Sequence, residues 1–343
     1  MLLPFSSGPR TRRCAAVLLL GASVASHALA DSIPTVGGVV RARYELMTTD
    51  GQSRFAVRNA RVWVRGQIRP RISYAVATDL CDQGKFQFLD AYGRFDLGHG
   101  VALQAGQFRI PFGVDPFRGP GNYVFADRSF IARDIDNIRA VGVQASYALR
   151  MGQEKPAVVT LGIFSPNAIT DQNHWSKTLN QALKVEVPVG AFRLTGGWQS
   201  VRPDGVRVNM ADACVAFAKG RWTAEAEYIY EHYAHDPFPD CHSYNAWLDY
   251  GMPLRKAVFD RLSFQARFDA ATSHSGGTVT DGRLTEDHPE RKRITVGSTL
   301  SYARRPVKCE FQLNYQKYFY KADYVASADG RNDKIVAEVI FVF

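Results

Sequence analysis

Nowhere in this 343-residue chain do eighteen apolar residues run together, so a membrane-spanning helix is excluded. Cysteine is scarce: there are five, none in C-x-x-C spacing, which excludes a zinc or dithiol redox motif. No GxxxxGK phosphate-binding loop occurs, and no serine stands in a recognisable nucleophile setting. These absences argue against an enzyme, and no cofactor, metal or nucleic-acid partner is expected. Lysine is nearly missing from one region. Residues 31–150 hold 16 basic and 11 acidic groups, and of the basic ones only Lys85 is not arginine.

Arg10, Arg12 and Arg13 precede an apolar run, Cys14–Ala25, too short to span a bilayer. Ala28, Leu29 and Ala30 then form an A-x-A cleavage site before Asp31. Residues 1–30 are expected to be a secretory signal peptide. Residues 31–343 then form one exported domain of 313 residues with a net charge of +6. Export makes a disulfide chemically possible. Cys81 and Cys241 fall at loop ends, but far apart round any barrel.

What fills the rest is alternation with period two. Val40, Ala42, Tyr44 and Leu46 oppose Arg41, Arg43 and Glu45. Ala60, Val62 and Val64 oppose Asn59, Arg61, Arg65 and Gln67, while Leu89, Ala91 and Phe95 oppose Asp90, Tyr92 and Arg94. The pattern recurs to the end, where Ile335, Ala337, Val339, Phe341 and Phe343 alternate. Sixteen such segments can be counted. Short connections such as 69–71, 98–100, 188–190 and 304–306 alternate with longer polar ones such as 111–138, 165–179, 231–243 and 272–293. Short turns at one rim and long loops at the other are the mark of an outer-membrane barrel. The expected fold is all-β: a transmembrane antiparallel β-barrel of about 16 strands. Pooled over that many strands, the polar faces would line a lumen too wide to fill with side chains, hence wet.

The third connection at the long-loop rim stands out; the two before it, near 48–54 and 81–85, are short. Pro111 ends its strand, since proline donates no ladder hydrogen bond. Gly113 then frees the chain to turn. Loops this long without regular structure are usually functional. This one holds Arg118, Arg128 and Arg133 against Asp115, Asp127, Asp134 and Asp136. It is expected to fold inward and narrow the pore. Inward wall positions such as Arg267, Arg293 and Lys184 are matched by Glu225, Glu227 and Asp269, so the wall is nearly neutral overall. The arginine excess lies in residues 31–150, and arginine rings are how pores select anions. The same arginines can also pair with nearby aspartates and brace the loop.

An ordered series of pieces carries a family likeness: Arg58 to Arg61, Asp90 with Tyr92, Gly106 with Phe108, Pro111 to Gly113, Phe125 with Arg128 and Ser129, and Arg139 with Gly142. Over about residues 37–149 the chain resembles the phosphate-selective porin O and P family. The resemblance implies a sixteen-stranded homotrimeric channel with inward loops and an arginine ladder guiding anions. Arg58 and Arg61 match its arginine motif, and Arg128 and Arg139 match its basic positions around the long loop. Strand alternation by itself places Arg58 on the apolar face. The family's phosphate channels use a lysine cluster, where this chain has arginine. The pore-lining, anion-binding candidates are Arg41, Arg43, Arg58, Arg61, Arg65, Arg94, Arg109, Arg118, Arg128, Arg133 and Arg139.

The expected function is passive diffusion of small hydrophilic solutes, leaning towards anions such as phosphate. The alternatives are a general or other substrate-specific porin, then a barrel enzyme or adhesin. The expected setting is the outer membrane of a Gram-negative bacterium, in contact with its lipid. The C-terminal strand ending at Phe343 resembles the signal read by barrel-assembly machinery. One dense group of ligand-type side chains lies in 231–242: His232, His235, Asp236, Asp240, Cys241 and His242. Its spacing sits on a loop, where it fixes no geometry, so it reads as a polar loop before a zinc site.

Overall fold

The computed structural model describes residues 33–343 apart from 83, 136–137, 151, 153, 172–174, 203–205, 236, 256–257, 277–278, 281–282, 287, 305 and 322–331. The proposed signal peptide and Asp136 lie outside these. The first strands are β1 (Thr35–Met47), β2 (Ser53–Arg69), β3 (Ile72–Asp82), β4 (Lys85–Gly98), β5 (Val101–Arg109), β6 (Arg139–Leu149), β7 (Ala157–Phe164) and β8 (Asn180–Val189). After them come β9 (Phe192–Val201), β10 (Val208–Lys219), β11 (Trp222–Tyr233), β12 (Cys241–Pro253) and β13 (Arg261–Ala271). The chain closes with a two-residue hairpin, β14 (Val279–Thr280) and β15 (Arg283–Leu284), then β16 (Arg291–Arg304), β17 (Val307–Tyr320) and β18 (Lys334–Val342). All but the small hairpin join one closed antiparallel barrel of sixteen strands. No helix among the described residues is long and apolar enough to cross a membrane.

Closure runs through β1 and β18, paired from Val39 opposite Val342 to Met47 opposite Lys334. Gly38 and Phe343 exchange two backbone hydrogen bonds at 2.8 and 3.1 Å. A Cβ at Gly38 would lie 2.5 Å from the Phe343 ring, so the terminal aromatic needs glycine beneath it. The outward faces carry the apolar series, with Phe264, Phe268, Leu313 and Phe341 exposed. The inward faces are polar and buried within the barrel: Arg41, Arg43, Gln265, Arg267, Gln312, Asn314 and Glu338 are among them.

Bulges at Arg58 and Leu89 break the simple parity. Arg41 pairs with Asn59 but Ala42 pairs with Val57, leaving Arg58 as the extra residue. An extra residue re-aims its neighbours' side chains. Phe55 and Val57 face outward, Asn59 and Arg61 face inward, and Arg58 turns in to meet Asp82. The alternation-based placement of Arg58 on the apolar face is therefore corrected. In β4, Ala77 pairs with Asp90 and Thr78 with Phe88, so Leu89 is the odd residue. Leu89 is buried while Phe86 and Phe88 take the outward face.

The interior is less wet than strand alternation suggests. Phe112, Phe130, Ile131 and Ile135 of that third connection pack against Val201, Val208, Met210, Ile229 and Tyr233 on β9–β11. Phe112 and Ile131 are wholly buried, and burying each such side chain contributes about 1.5–3 kcal/mol. This core fixes one side of the loop to the wall. The base of the loop is closed by Ile110 N–H donating to Ile138 O at 3.0 Å. At β5, Gly106 has φ +129, and a Cβ there would stand 2.2 Å from Ala91 O. Only glycine allows that crossing of β4 and β5. The four described cysteines are free thiols.

Candidate functional site

The loop 110–138 holds short 3-10 turns at Asp115–Phe117 and Pro120–Asn122 and a π-turn at Ile131–Ile135. Irregular backbone leaves amides and carbonyls that need partners when buried. Inward side chains of the wall supply them. Arg41 donates to Ala126 O at 2.6 Å and to Glu338 at 2.9 Å. Arg43 donates to Ala126 O at 2.6 Å, to Glu338 at 2.7 Å and to Asp127 at 2.7 Å. Lys334 closes on Asp127 at 2.8 Å, and Asn314 accepts from Ala126 N–H at 2.7 Å.

Further round the barrel, Arg267 donates to Asp127 O at 2.9 Å and Arg293 to Arg128 O at 2.6 Å. Asp269 accepts from Phe130 N–H at 3.0 Å and pairs with Arg293 at 2.6 Å. Guanidinium groups also lie over the loop's rings, Arg267 over Phe125 at 4.5 Å and Arg293 over Phe130 at 4.7 Å. Such stacking adds to each ion pair. On the far side, Glu227 accepts from Val114 and Asp115 N–H, Lys184 donates to Gly113 O at 2.7 Å, and Arg118 pairs with Asp115 and Glu225. Burial alone would raise the loop carboxyls. At Asp127 the charges of Lys334, Arg43 and Arg293 outweigh it and hold the group well below the usual carboxylate range. At Asp115 burial is outweighed by Arg118, the Ser129 hydroxyl and Arg267.

These bonds run to β1, β8, β11, β13 and β16–β18. A different set of arginines stands on β2–β6 and on the edge of the loop that faces them. Arg61 meets Asp79 at 3.3 Å. Arg128 donates to the Tyr123 hydroxyl at 2.6 Å with its guanidinium 5.0 Å from that ring. No carboxylate pairs with Arg128 or Arg65 among the described residues, and Arg65 is exposed, 5.6 Å over the Trp63 ring. Arg139 pairs with Asp90 at 2.9 Å, Arg94 reaches Ser146 at 3.5 Å, and Arg133 lies 3.6 Å from Asp134. A cavity of about 420 Å³ opens between loop and wall, lined by Arg54, Arg58, Arg128 and Arg133 with Glu45 and Asp127.

The candidate arginines thus divide. Arg41, Arg43 and Arg118 are locked to carboxylates and loop carbonyls. Arg58, Arg61, Arg65, Arg94, Arg128, Arg133 and Arg139 gather on the β2–β6 side. Arg109 sits at the loop's start, 5.7 Å over Phe117. Sequence reasoning passed over Lys334 and Glu338. Both hold inward positions on β18, and parity alone marks them. Emphasis on the apolar, outward residues of the last strand hid Glu338.

Three members of the ligand-type group at 231–242 bond to near neighbours, and Asp236 lies outside the described residues. Asp240 accepts from the Tyr230 hydroxyl at 2.6 Å and meets His232 at 2.9 Å, while His242 meets the Tyr228 hydroxyl at 2.8 Å. Among the described residues no three His, Cys, Asp or Glu gather as a metal group.

A sixteen-stranded barrel with a long connection tied across its lumen is the architecture of porins. Residues 42–191 match the family model described as phosphate-selective porin O and P, so the likeness read from the sequence is shown over that span. No curated relative matches the chain in sequence. Solved porins share the fold. OmpF of Salmonella typhi, in complex with daunomycin, is 13% identical with a TM-score of 0.63, over 90% of this chain and 97% of its own. The anion-selective porin of Comamonas acidovorans is 14% identical with a TM-score of 0.58, over 90% and 98%. The trimer form of OmpT from Vibrio cholerae is 9% identical with a TM-score of 0.55, over 91% and 98%.

Proposed function

We propose that this chain is an outer-membrane porin through which small hydrophilic solutes diffuse passively, with a preference for anions such as phosphate. The observation that carries the preference is the gathering of Arg54, Arg58, Arg128 and Arg133 around the cavity between loop and wall. Like charges gathered at a constriction, with Arg65 and Arg128 lacking a carboxylate partner among the described residues, attract anions and repel cations. Guanidinium forks suit phosphate and carboxylate because they donate paired hydrogen bonds. The reading extends to a cleaved leader at 1–30, a homotrimer, and delivery to the Gram-negative outer membrane through the Phe343 strand. The trimeric and anion-selective neighbours support it.

A general porin is the second reading, favoured by the near balance of charge in the clamped half of the lumen. Planar-bilayer recording with ion substitution separates the two. A stepwise conductance that persists when chloride is kept and potassium is replaced by a bulky cation is expected. Absence of steps contradicts a channel, and cation preference contradicts the anion reading alone.

A further inference from the structure

On the clamped side of the lumen, towards the short-turn rim, a second cavity of about 220 Å³ lies between the turn at Pro120–Asn122 and the inward faces of β11–β13, β16 and β17. Its charges cancel in pairs, Arg261 with Asp249 and Lys308 with Glu310 at 3.0 Å. Lys308 also donates to Gly121 O at 2.7 Å. What remains is neutral hydrogen-bonding surface. The register sets Ser263 opposite Thr299, Thr299 opposite Gln312, and Ser301 opposite Glu310. Directly opposed side chains stand about 5 Å apart, so hydroxyls, an amide and a carboxylate form one continuous wall. Gln312 is buried and donates to Tyr123 O at 3.0 Å, while its amide oxygen has no partner. The hydroxyl of buried Ser263 and the side-chain amide of Asn122 on the loop also bond to nothing among the described residues. Trp247 lines the same cavity.

A buried polar atom without a partner is costly, and its persistence calls for a ligand or water to complete it. An anion is poorly served here, because each cation already has its carboxylate. A neutral polyol is well served. Each of its hydroxyls both donates and accepts, which suits a wall of mixed donors and acceptors, and its C–H face can pack on an aromatic ring. The volume lies below the about 300–1,000 Å³ of pockets for larger ligands, which limits the occupant to a small molecule. We infer that this cavity binds one neutral polyhydroxylated solute of monosaccharide size, held by Asn122, Ser263, Ser301 and Gln312, apart from the arginines proposed to guide anions. The inference needs the lumen to admit solute, as the proposed function holds, and requires no ion preference.

The test is a titration of the detergent-solubilised full-length protein with D-glucose, followed by saturation-transfer difference NMR, with inorganic phosphate and the zwitterion glycine betaine as competitors. Saturable glucose binding that neither competitor displaces is expected. Asn122→Ala and Ser263→Val should each weaken it about fivefold, the share of one hydrogen bond. Neither side chain bonds within the described structure, so these variants remove ligand contacts and leave fold contacts in place. No saturable glucose binding, displacement of glucose by phosphate, or unchanged binding in either variant overturns the inference. Binding of betaine in place of glucose overturns it too, in favour of a zwitterion at the two ion pairs. Bilayer recording on the same preparation keeps the two readings apart. Ion steps without glucose binding defeat this site alone, and glucose binding without ion steps defeats the porin reading alone.

Discussion

Two halves of the same lumen use arginine for opposite ends. On β1, β13 and β16, Arg41, Arg43, Arg267 and Arg293 are buried, paired with carboxylates and bonded to loop carbonyls. On β2–β6, and on the loop edge facing them, arginines crowd one another and only some have an acid partner. Bidentate geometry suits both, but in the first half it is consumed by the protein, and in the second the proposed function assigns it, at Arg65 and Arg128, to solute. An arginine count cannot tell these apart. Arg65 and Arg128 pair with no carboxylate among the described residues, whereas Arg61 keeps Asp79 from the neighbouring strand and Glu338 pairs with Arg41 and Arg43 at once.

The largest way to break the contrast is Glu338→Ala. It leaves buried Arg41 without its carboxylate, while Arg43 keeps Asp127, and removing one partner of a buried pair costs about 3–5 kcal/mol. Unfolding in detergent should show that loss, and single channels should become noisy as residues 126–127 come free. Phe112→Ala should cost a comparable 3–5 kcal/mol by opening a cavity in the loop's apolar anchor, without reversing ion preference. Acid gives a smaller, reversible version. Asp127 and Asp115 have depressed folded values, so their stabilisation is full above the ordinary carboxylate value of about 3.9 and is lost as pH falls through the folded values. Conductance should therefore stay steady at pH 5 and become unstable only in stronger acid. Instability already at pH 6 would contradict the clamp. At the small end, Arg128→Ala should change stability by no more than about 1 kcal/mol, as expected for a partly exposed charge. Its effect should appear in reversal potential instead. Arg128→Lys keeps the charge and loses the fork, so most of the preference should remain.

Much of this was legible in the sequence because one face of each strand must meet an apolar surround. That requirement writes period-two alternation into the chain, and it located all sixteen barrel strands and the long third connection. The bulge at Arg58 was not legible, since an inserted residue changes parity without changing composition. The family motif placed Arg58 inward where alternation did not, and the ion pair with Asp82 agrees with the motif. The apolar inner patch on β9–β11 was hidden for another reason. Ile229 and Tyr233 share one inward series with Glu225, Glu227 and Glu231, so apolar and acidic positions mix on the inner face of one strand. The split of the arginines also required three dimensions, because Arg41 and Glu338 are 297 residues apart.

The account is tested most directly by the reversal potential of single channels in a potassium chloride gradient, for the unaltered protein and for Arg65→Ala combined with Arg128→Ala. An anion-selective potential that moves towards zero in the double variant, with unfolding resistance retained, is the predicted result. An unaltered protein with cation preference, or a double variant whose potential does not move, would contradict the division of the lumen into a clamped half and a conducting half.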